Sequence, residues 1–490
     1  MEDSAETLST DSTMTGFPTR RDTPATLLMA TGGDARILID PCTGLNRYGS
    51  APRPSDMLAY ASSTVNDLSD SAFAHVSALG YEAGMSGAAY AGALGALRER
   101  IAAAYELPRD AEIVFAPSGT DLEYVALHLA GARGAGVHNI LLGADEVGSG
   151  CIHSASGRYF AGETALGAGV AAGQPVPGLA ERVTIADLPV RDRNGQAHDS
   201  ATMAAAIDAA AIEAHAAGRH PLVHIVHGSK TGLVLPELPE IDWLIARHGD
   251  RLSFVVDACQ ARICPESVAA YLARGAIVFL TGSKFMGGAP FSGFALLPPR
   301  ARPALPAGFA AIFRRAEWPE GWPGTETLID DANPGLLLRL ESAIFELERF
   351  STLSAPRIAR VIDAFGFAVD GLAAKIGAGR IMPPRCSVPH PVEEDTLATL
   401  DLSRTPDAPD FDEARARHAA LIEAGIRLGQ PVKCVRLSDG RWGATMRVAL
   451  SMPQVMAFDA IDDLTLATRL RDDMDRIARR LMRSQEPVPA

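Results

Sequence analysis

The chain has 490 residues, 47% hydrophobic and 21% charged, with a formal net charge of −14 at pH 7. This is a globular composition, long enough for two or three domains, and its acidity argues against nucleic acid or an anionic membrane as the main partner. No run of 18 apolar residues occurs and no apolar segment follows a basic start, so neither a membrane span nor a secretory leader is expected.

Residues 1–35 are rich in Thr, Ser and Asp with little periodicity, and predict a mobile arm that docks on a partner subunit. Ordered chain begins near Ile37, and Gly and Pro make 42–54 a turn-rich loop. Helical spacing of Ala, Leu and Ile predicts a helix over 83–105, ended before Pro108. Ile113–Ala116 reads as a strand, followed by Pro117-Ser118-Gly119-Thr120-Asp121 and a helix from Leu122 to about Leu129. A strand, a small hydroxyl turn and a helix start make an anion site, although Ser-Gly-Thr is also a routine helix cap. The next strand, Asn139–Leu142, runs into Gly143–Gly150. Residues 164–200 form a Gly-, Ala- and Pro-rich insertion with a short strand near Val183–Ile185, and a helix follows at 201–217. Gly167-Ala168-Gly169 lacks the flanking strand and helix of a dinucleotide loop.

His220–His227 holds three histidines, but its Pro and β-branched residues make it a strand, which sends His224 and His227 to opposite faces. A metal is therefore not expected there. The six cysteines (Cys42, Cys151, Cys259, Cys264, Cys386, Cys434) also lack zinc-type spacing and suit a reduced, cytoplasmic chain without a metal.

Two further buried-strand patterns carry chemistry. Leu252–Gln260 contains Asp257, and Val278–Gly288 contains Lys284, 27 residues later, with a helix expected at about 265–275 between them. In a strand–helix–strand unit both strand ends open onto the same sheet edge, so Asp257 and Lys284 face one pocket. Lysine is scarce, with only Lys230, Lys284, Lys375 and Lys433 among 45 basic residues. A buried ammonium is costly unless neutralised, paired or used covalently, and Schiff-base chemistry is one such use. The plain alternative is a surface charge closing a strand. After a strand at Gly293–Leu297 come Gly324-Thr325-Glu326-Thr327, a long amphipathic helix at 335–350, and from about 355 a smaller domain whose last helix covers 458–484. Within it, Ala444–Ser451 places Arg447 on a strand, where its planar fork suits a carboxylate, an exposed strand arginine being the alternative.

Ser118-Gly119-Thr120, Asp257 with Gln260, Thr281 to Lys284, Gly324-Thr325 and Arg447, in this order, resemble the fold-type I pyridoxal-phosphate enzymes, and among them the class V aminotransferase and cysteine desulfurase group. The resemblance covers about residues 83–455. It implies an α/β large domain with a mostly parallel seven-stranded sheet over 36–335, and a smaller α+β domain over 336–490. It implies pyridoxal 5'-phosphate carried by Lys284, with Asp257 at the ring nitrogen. Ser118, Gly119 and Thr120 would hold the phosphate, with Gln260, Thr281 and Ser283 beside it. Gly324 and Thr325 would reach the phosphate of a neighbouring subunit, hence a homodimer with shared active sites. Arg447, Asn46, Ser229 and Lys230 would contact an amino-acid substrate. The chain departs from the family where a histidine normally stacks on the ring, since Glu146 or Val147 falls there and the nearest histidine is His153. Three activities are implied: first an aminotransferase-like reaction at Cα; then a lyase, decarboxylase or desulfurase with Cys434 or Cys386 as sulfur acceptor; and third a catalytically silent binding protein of the same fold.

Overall fold

The computed structural model describes residues 23–148 and 150–483. Seven strands build the main sheet: β1 (Glu112–Ala116), β2 (Val137–Leu142), β3 (Val183–Leu188), β4 (His220–His227), β5 (Ser253–Asp257), β6 (Ile277–Thr281) and β7 (Gly293–Leu297). Their order is β1-β7-β6-β5-β4-β2-β3, and the two-residue strand Val234–Leu235 adds to β4. From β6 across to β3 every pair is parallel, while β7 is antiparallel to β6 and β1. The chain returns from β6 to β7 through 282–292 without a crossover helix, and only antiparallel pairing tolerates so direct a return.

Both faces of this sheet are covered, so its strands are apolar throughout rather than alternating. Phe254 and Val256 of β5 and Val278 and Leu280 of β6 join one core, with helices Gly87–Ala104, Ser200–Ala216, Pro265–Ala273 and Pro334–Ser351. Val255, Ile277 and Phe279 join a second core with helix Leu122–Gly131 and the aromatic group Phe309, Phe313, Trp318 and Trp322.

The smaller domain has an antiparallel sheet of β8 (Gly379–Ile381), β9 (Leu397–Asp401) and β10 (Thr445–Ala449), in that order. Helices Ala355–Ile376 and Asp463–Arg483 pack together beside it.

Several sequence expectations need correction. Residues 23–35 are not a mobile arm. Pro24–Met29 is helical, and the fully buried Arg339 donates to the carbonyls of Met29, Thr31 and Gly32. Ala25 and Met29 bury against Leu338 and Val76, too few apolar positions to show a period; residues 1–22 of the expected arm lie outside the described residues. The insertion 164–200 is partly integral, because β3 is an edge strand of the sheet. The last helix, expected at 458–484, starts later, at Asp463, because Asp462 accepts the Leu464 and Thr465 N–H groups as its cap, and residues 458 and 459 end a separate helix, Met452–Asp459. Segment Leu58–Tyr60, expected in the large domain, pairs in parallel with Ile426–Leu428 of the small one.

The turn after β6 meets helix Pro334–Ser351 at very short range. A Cβ on Gly282 would lie 2.3 Å from Ala343 Cβ, and one on Gly288 would lie 2.6 Å from it. Gly282→Ala should therefore destabilise the fold by about 1–3 kcal/mol through overpacking. Adding Ala343→Gly should recover part of that loss in urea unfolding, more than the sum of the single changes allows; simple additivity would mean the contact is not limiting.

Candidate active site

A cavity of about 460 Å³ opens at the C-terminal ends of β4, β5 and β6. Asp257 ends β5, and its Oδ1 accepts the Cys259 N–H at 2.9 Å. Lys284 follows β6, and its Nζ lies 3.4 Å from both the Ser63 and Thr64 carbonyls. Both residues line the cavity. Burial, reinforced by the positive charges of Arg447 and Lys230, pushes the Lys284 amine down to about 8. The backbone beneath it is gripped by Asn66, whose amide donates to the Ser283 and Lys284 carbonyls at 3.0 and 2.6 Å.

At the other end of the cavity the turn Ser118-Gly119-Thr120 leads into helix Leu122–Gly131. Among the described residues no protein acceptor takes the Gly119 or Thr120 N–H, which leaves two free donors beside the positive end of the helix dipole in the cavity lining. Gly119 sits so close to Thr281 and Cys259 that a Cβ would come within 2.8 Å of Thr281 Cγ2. The Ser118 hydroxyl donates to Asp121 at 2.6 Å, and burial raises the Asp121 carboxyl to about 7. Arg36, paired with Asp34 at 2.7 Å, reaches Ser118 Oγ at 3.4 Å.

Arg447 is 3% exposed and donates from Nε to the Gln430 carbonyl, from Nη1 to the Ser63 and Lys230 carbonyls, and from Nη2 to Thr64 Oγ1. No carboxylate among the described residues pairs with it, and burial lowers it to about 10. Lys230 donates to the Asp145 carbonyl at 3.0 Å, and its amine is lowered by burial and by Arg447. The Glu146 carboxylate accepts from Ser229 at 2.7 Å, from Thr231 and from Arg191, and Asp145, Glu146, Val147, Gly148 and Cys151 form the wall at that strand end. His153 is not part of the lining. Gln260 is held from behind by the buried Arg262, which donates to its Oε1 at 2.9 Å, while its own amide donates to the Ser63 carbonyl.

Of the residues named from sequence, Ser118, Gly119, Thr120, Ser229, Lys230, Asp257, Gln260, Thr281, Ser283, Lys284 and Arg447 are brought to this one cavity. Three are not. Asn46 is buried in its own loop, where its Oδ1 accepts the Tyr48 N–H at 2.9 Å and its Nδ2 donates to Ser50; the loop residue that reaches the cavity is Tyr48. Gly324 and Thr325 lie away from the cavity of their own chain, with the Thr325 hydroxyl donating to the Trp322 carbonyl at 2.7 Å. Sequence reasoning missed Arg36, Ser63, Thr64 and Lys433. Ser62-Ser63-Thr64 repeats the small-hydroxyl signature of Ser118 and Thr281, but the strand before it, Leu58–Tyr60, is too short to stand out.

Many solved structures share this architecture, these three among them. One is a C-DES mutant with glycine covalently linked to its PLP cofactor, at 17% identity over 87% of this chain and 96% of that one, TM-score 0.54. Another is the cysteine desulfurase from Thermococcus onnurineus NA1, at 16% identity over 84% and 95%, TM-score 0.53. The third is a NifS-like protein, at 12% identity over 86% and 99%, TM-score 0.51. No protein-family model and no curated protein matches the chain. At these identities the likeness establishes the fold, which is that of the fold-type I pyridoxal-phosphate enzymes.

The state of Lys284 is testable in protein free of small molecules. Its folded value near 8 lies below the 10.5 of a free lysine, so the folded chain binds fewer protons between those values and stability rises with pH across that window. Lys284→Met, which lacks the group, should be more stable than wild type below about 8, and the gap should close towards 10.5. Urea midpoints compared across that range check this; a constant gap would mean the amine is not desolvated.

Proposed function

We propose that the chain is a pyridoxal-phosphate enzyme acting at the Cα of an amino acid, with an aminotransferase-like reaction as the preferred reading. The observation that carries it is the shared cavity: a desolvated amine at Lys284, a carboxylate at Asp257 on the adjacent strand end, and a donor-rich turn at 118–120. The residues present fit that cofactor. In an acidic chain the cavity wall presents five cations (Arg36, Lys230, Lys284, Lys433 and Arg447), and the Gly119 and Thr120 N–H groups have no acceptor of their own. Ser118, Gly119, Thr120, Thr281 and Ser283 would hold the phosphate, Asp257 would face the ring nitrogen, and Val147 would cover the ring where the family has a histidine.

When bound, the cofactor supplies an electron sink that stabilises negative charge at the substrate's Cα. The chain's part is positioning and proton transfer. Asp257 keeps a proton on its nitrogen partner through its charge. The Lys284 amine, lowered to about 8, is substantially neutral near pH 8 and so is a competent base at Nζ. Arg447, with no acidic partner, offers the charge for a substrate carboxylate. Arg447 is buried in this wall and Lys284 half-buried, which limits the water that reaches the guanidinium and the amine.

The desulfurase reading takes second place. Cys434 and Cys386 do not line the cavity, and burial holds both thiols up at about 12, unsuited to carrying sulfur from it. The proposed homodimer follows from Gly324 and Thr325. They are remote from their own cavity and would act only across a subunit interface.

Borohydride treatment of the protein incubated with pyridoxal phosphate should fix the cofactor to the peptide holding Lys284; label on Lys230 instead would reverse the assignment. For Arg447, loss of the side chain should cost on the order of 2–5 kcal/mol in binding of amino acids, with Arg447→Lys nearly as harmful. Absorbance titrations with amino acids and the matching amines check this. Wild type should prefer the acids and the variants should not; equal binding of amines by wild type would make Arg447 structural.

A further inference from the structure

We propose a second site: Cys264, His390 and Glu393, with His227 as fourth ligand, bind a divalent cation of the zinc type at the junction of the two domains. A ligand atom from each of Cys264, His390 and Glu393 lies within 4.8 Å of the others. A tetrahedral ion with bonds of about 2.0–2.3 Å sets its ligands roughly 3.3–3.8 Å apart, so these three need contract by no more than about 1.5 Å. His227 stands on the face of β4 opposite His224, 3% exposed, with Nε2 3.4 Å from a Glu393 carboxylate oxygen.

What points to a ligand is the state of the imidazoles. His390 Nδ1 is buried without a hydrogen-bond partner, and the buried His227 Nε2 makes no well-formed hydrogen bond, its Glu393 neighbour standing at 3.4 Å. Two under-bonded ring nitrogens beside one carboxylate and one thiol are a costly arrangement for a purely structural cluster. The outer contacts are those a ligand set needs. The Tyr271 hydroxyl lies 3.0 Å from His227 Nδ1, which fixes the ring and, when Nδ1 carries the proton, presents the Nε2 lone pair inward. Glu393 Oε1 accepts the Cys264 N–H at 2.9 Å, leaving Oε2 towards His227. One sulfur, two imidazoles and one carboxylate form the mixed donor set that zinc favours over calcium or magnesium.

Four protein ligands make a closed, structural site, and none of them lines the catalytic cavity. Its effect there is indirect. Cys264 ends the loop that begins at Asp257 and carries Cys259 and Gln260, while His390 and Glu393 flank and form the short helix Pro391–Glu394 of the smaller domain. A bound ion would pin that loop to the other domain. The sequence gives little sign of this, because the ligands stand at 227, 264, 390 and 393, and the one close pair among them, His390 with Glu393, is too common a spacing to mark a metal by itself.

The experiment uses untagged full-length protein, stripped with chelator and titrated with Co²⁺. One equivalent should give the visible absorption of a tetrahedral Co²⁺ ion with a thiolate charge-transfer band, and Zn²⁺ should displace it stoichiometrically. The thiol proton leaves to solvent on binding. Cys264→Ser should lose the thiolate band, His227→Gln should keep it while binding at least tenfold more weakly, and Cys42→Ser, an exposed remote site, should match wild type. Absence of a stoichiometric thiolate band in wild type overturns the proposal whether or not the variants fold, as does an unchanged spectrum in Cys264→Ser.

Discussion

The site depends first on how tightly the turn carrying Lys284 is clamped. Gly282 and Gly288 lie against Ala343 at distances no side chain could occupy. From other directions Asn66 grips the Ser283 and Lys284 carbonyls, the Phe285 N–H donates to the Gln260 carbonyl, and the Met452 N–H donates to the Phe285 carbonyl at 2.7 Å. Helix 334–351, the segment after Tyr60, the loop after β5 and the start of helix 452–459 thus hold one short turn. A lysine on a looser backbone would swing its ammonium to water. Here the amine stays in a wall with Arg447 and Lys230, which shifts its balance towards the neutral form.

The second constraint is the balance of charge. The chain is acidic overall, yet its cavity wall carries Lys230, Lys284, Lys433 and Arg447 with no ion pair among the described residues, while Glu146 is taken up by Arg191, Ser229 and Thr231, and Arg36 is matched by Asp34. What remains unmatched at the opening is positive charge and peptide N–H donors. Such a preorganised surface favours an anionic ligand without having to rearrange to bind it. Arg447 extends it deep into the wall, anchored by carbonyls and a hydroxyl rather than by an acid.

The segment from Leu58 to Asn66 ties these features together. It pairs with Ile426–Leu428, its Ser62 hydroxyl donates to the Leu450 carbonyl, and its Ser63 and Thr64 face Lys284, Gln260 and Arg447. It is N-terminal in sequence but works as a strap across both domains. The Cys264–His390–Glu393 group also joins residues of both domains, at the end of the loop that carries Gln260.

Much of the architecture was legible in the sequence because local patterns encode local facts. An apolar run bounded by small residues marks a buried strand, and a strand–helix–strand unit opens both ends on one edge. Asp257 and Lys284 could therefore be placed at one sheet edge from local pattern, while the 118–120 turn joined them only through the resemblance to a known family. The tertiary structure decided which side chains use their polar groups at home. Asn46 closes its own loop, Glu146 turns to Arg191, and Arg447 is held by carbonyls from three segments. It also decided the order of the smaller domain, the ordered helix at Pro24–Met29 and the meeting of His227 with Glu393. These are contacts between residues tens to hundreds of positions apart. A repeating pattern records which face of an element is buried, but not which distant segment buries it.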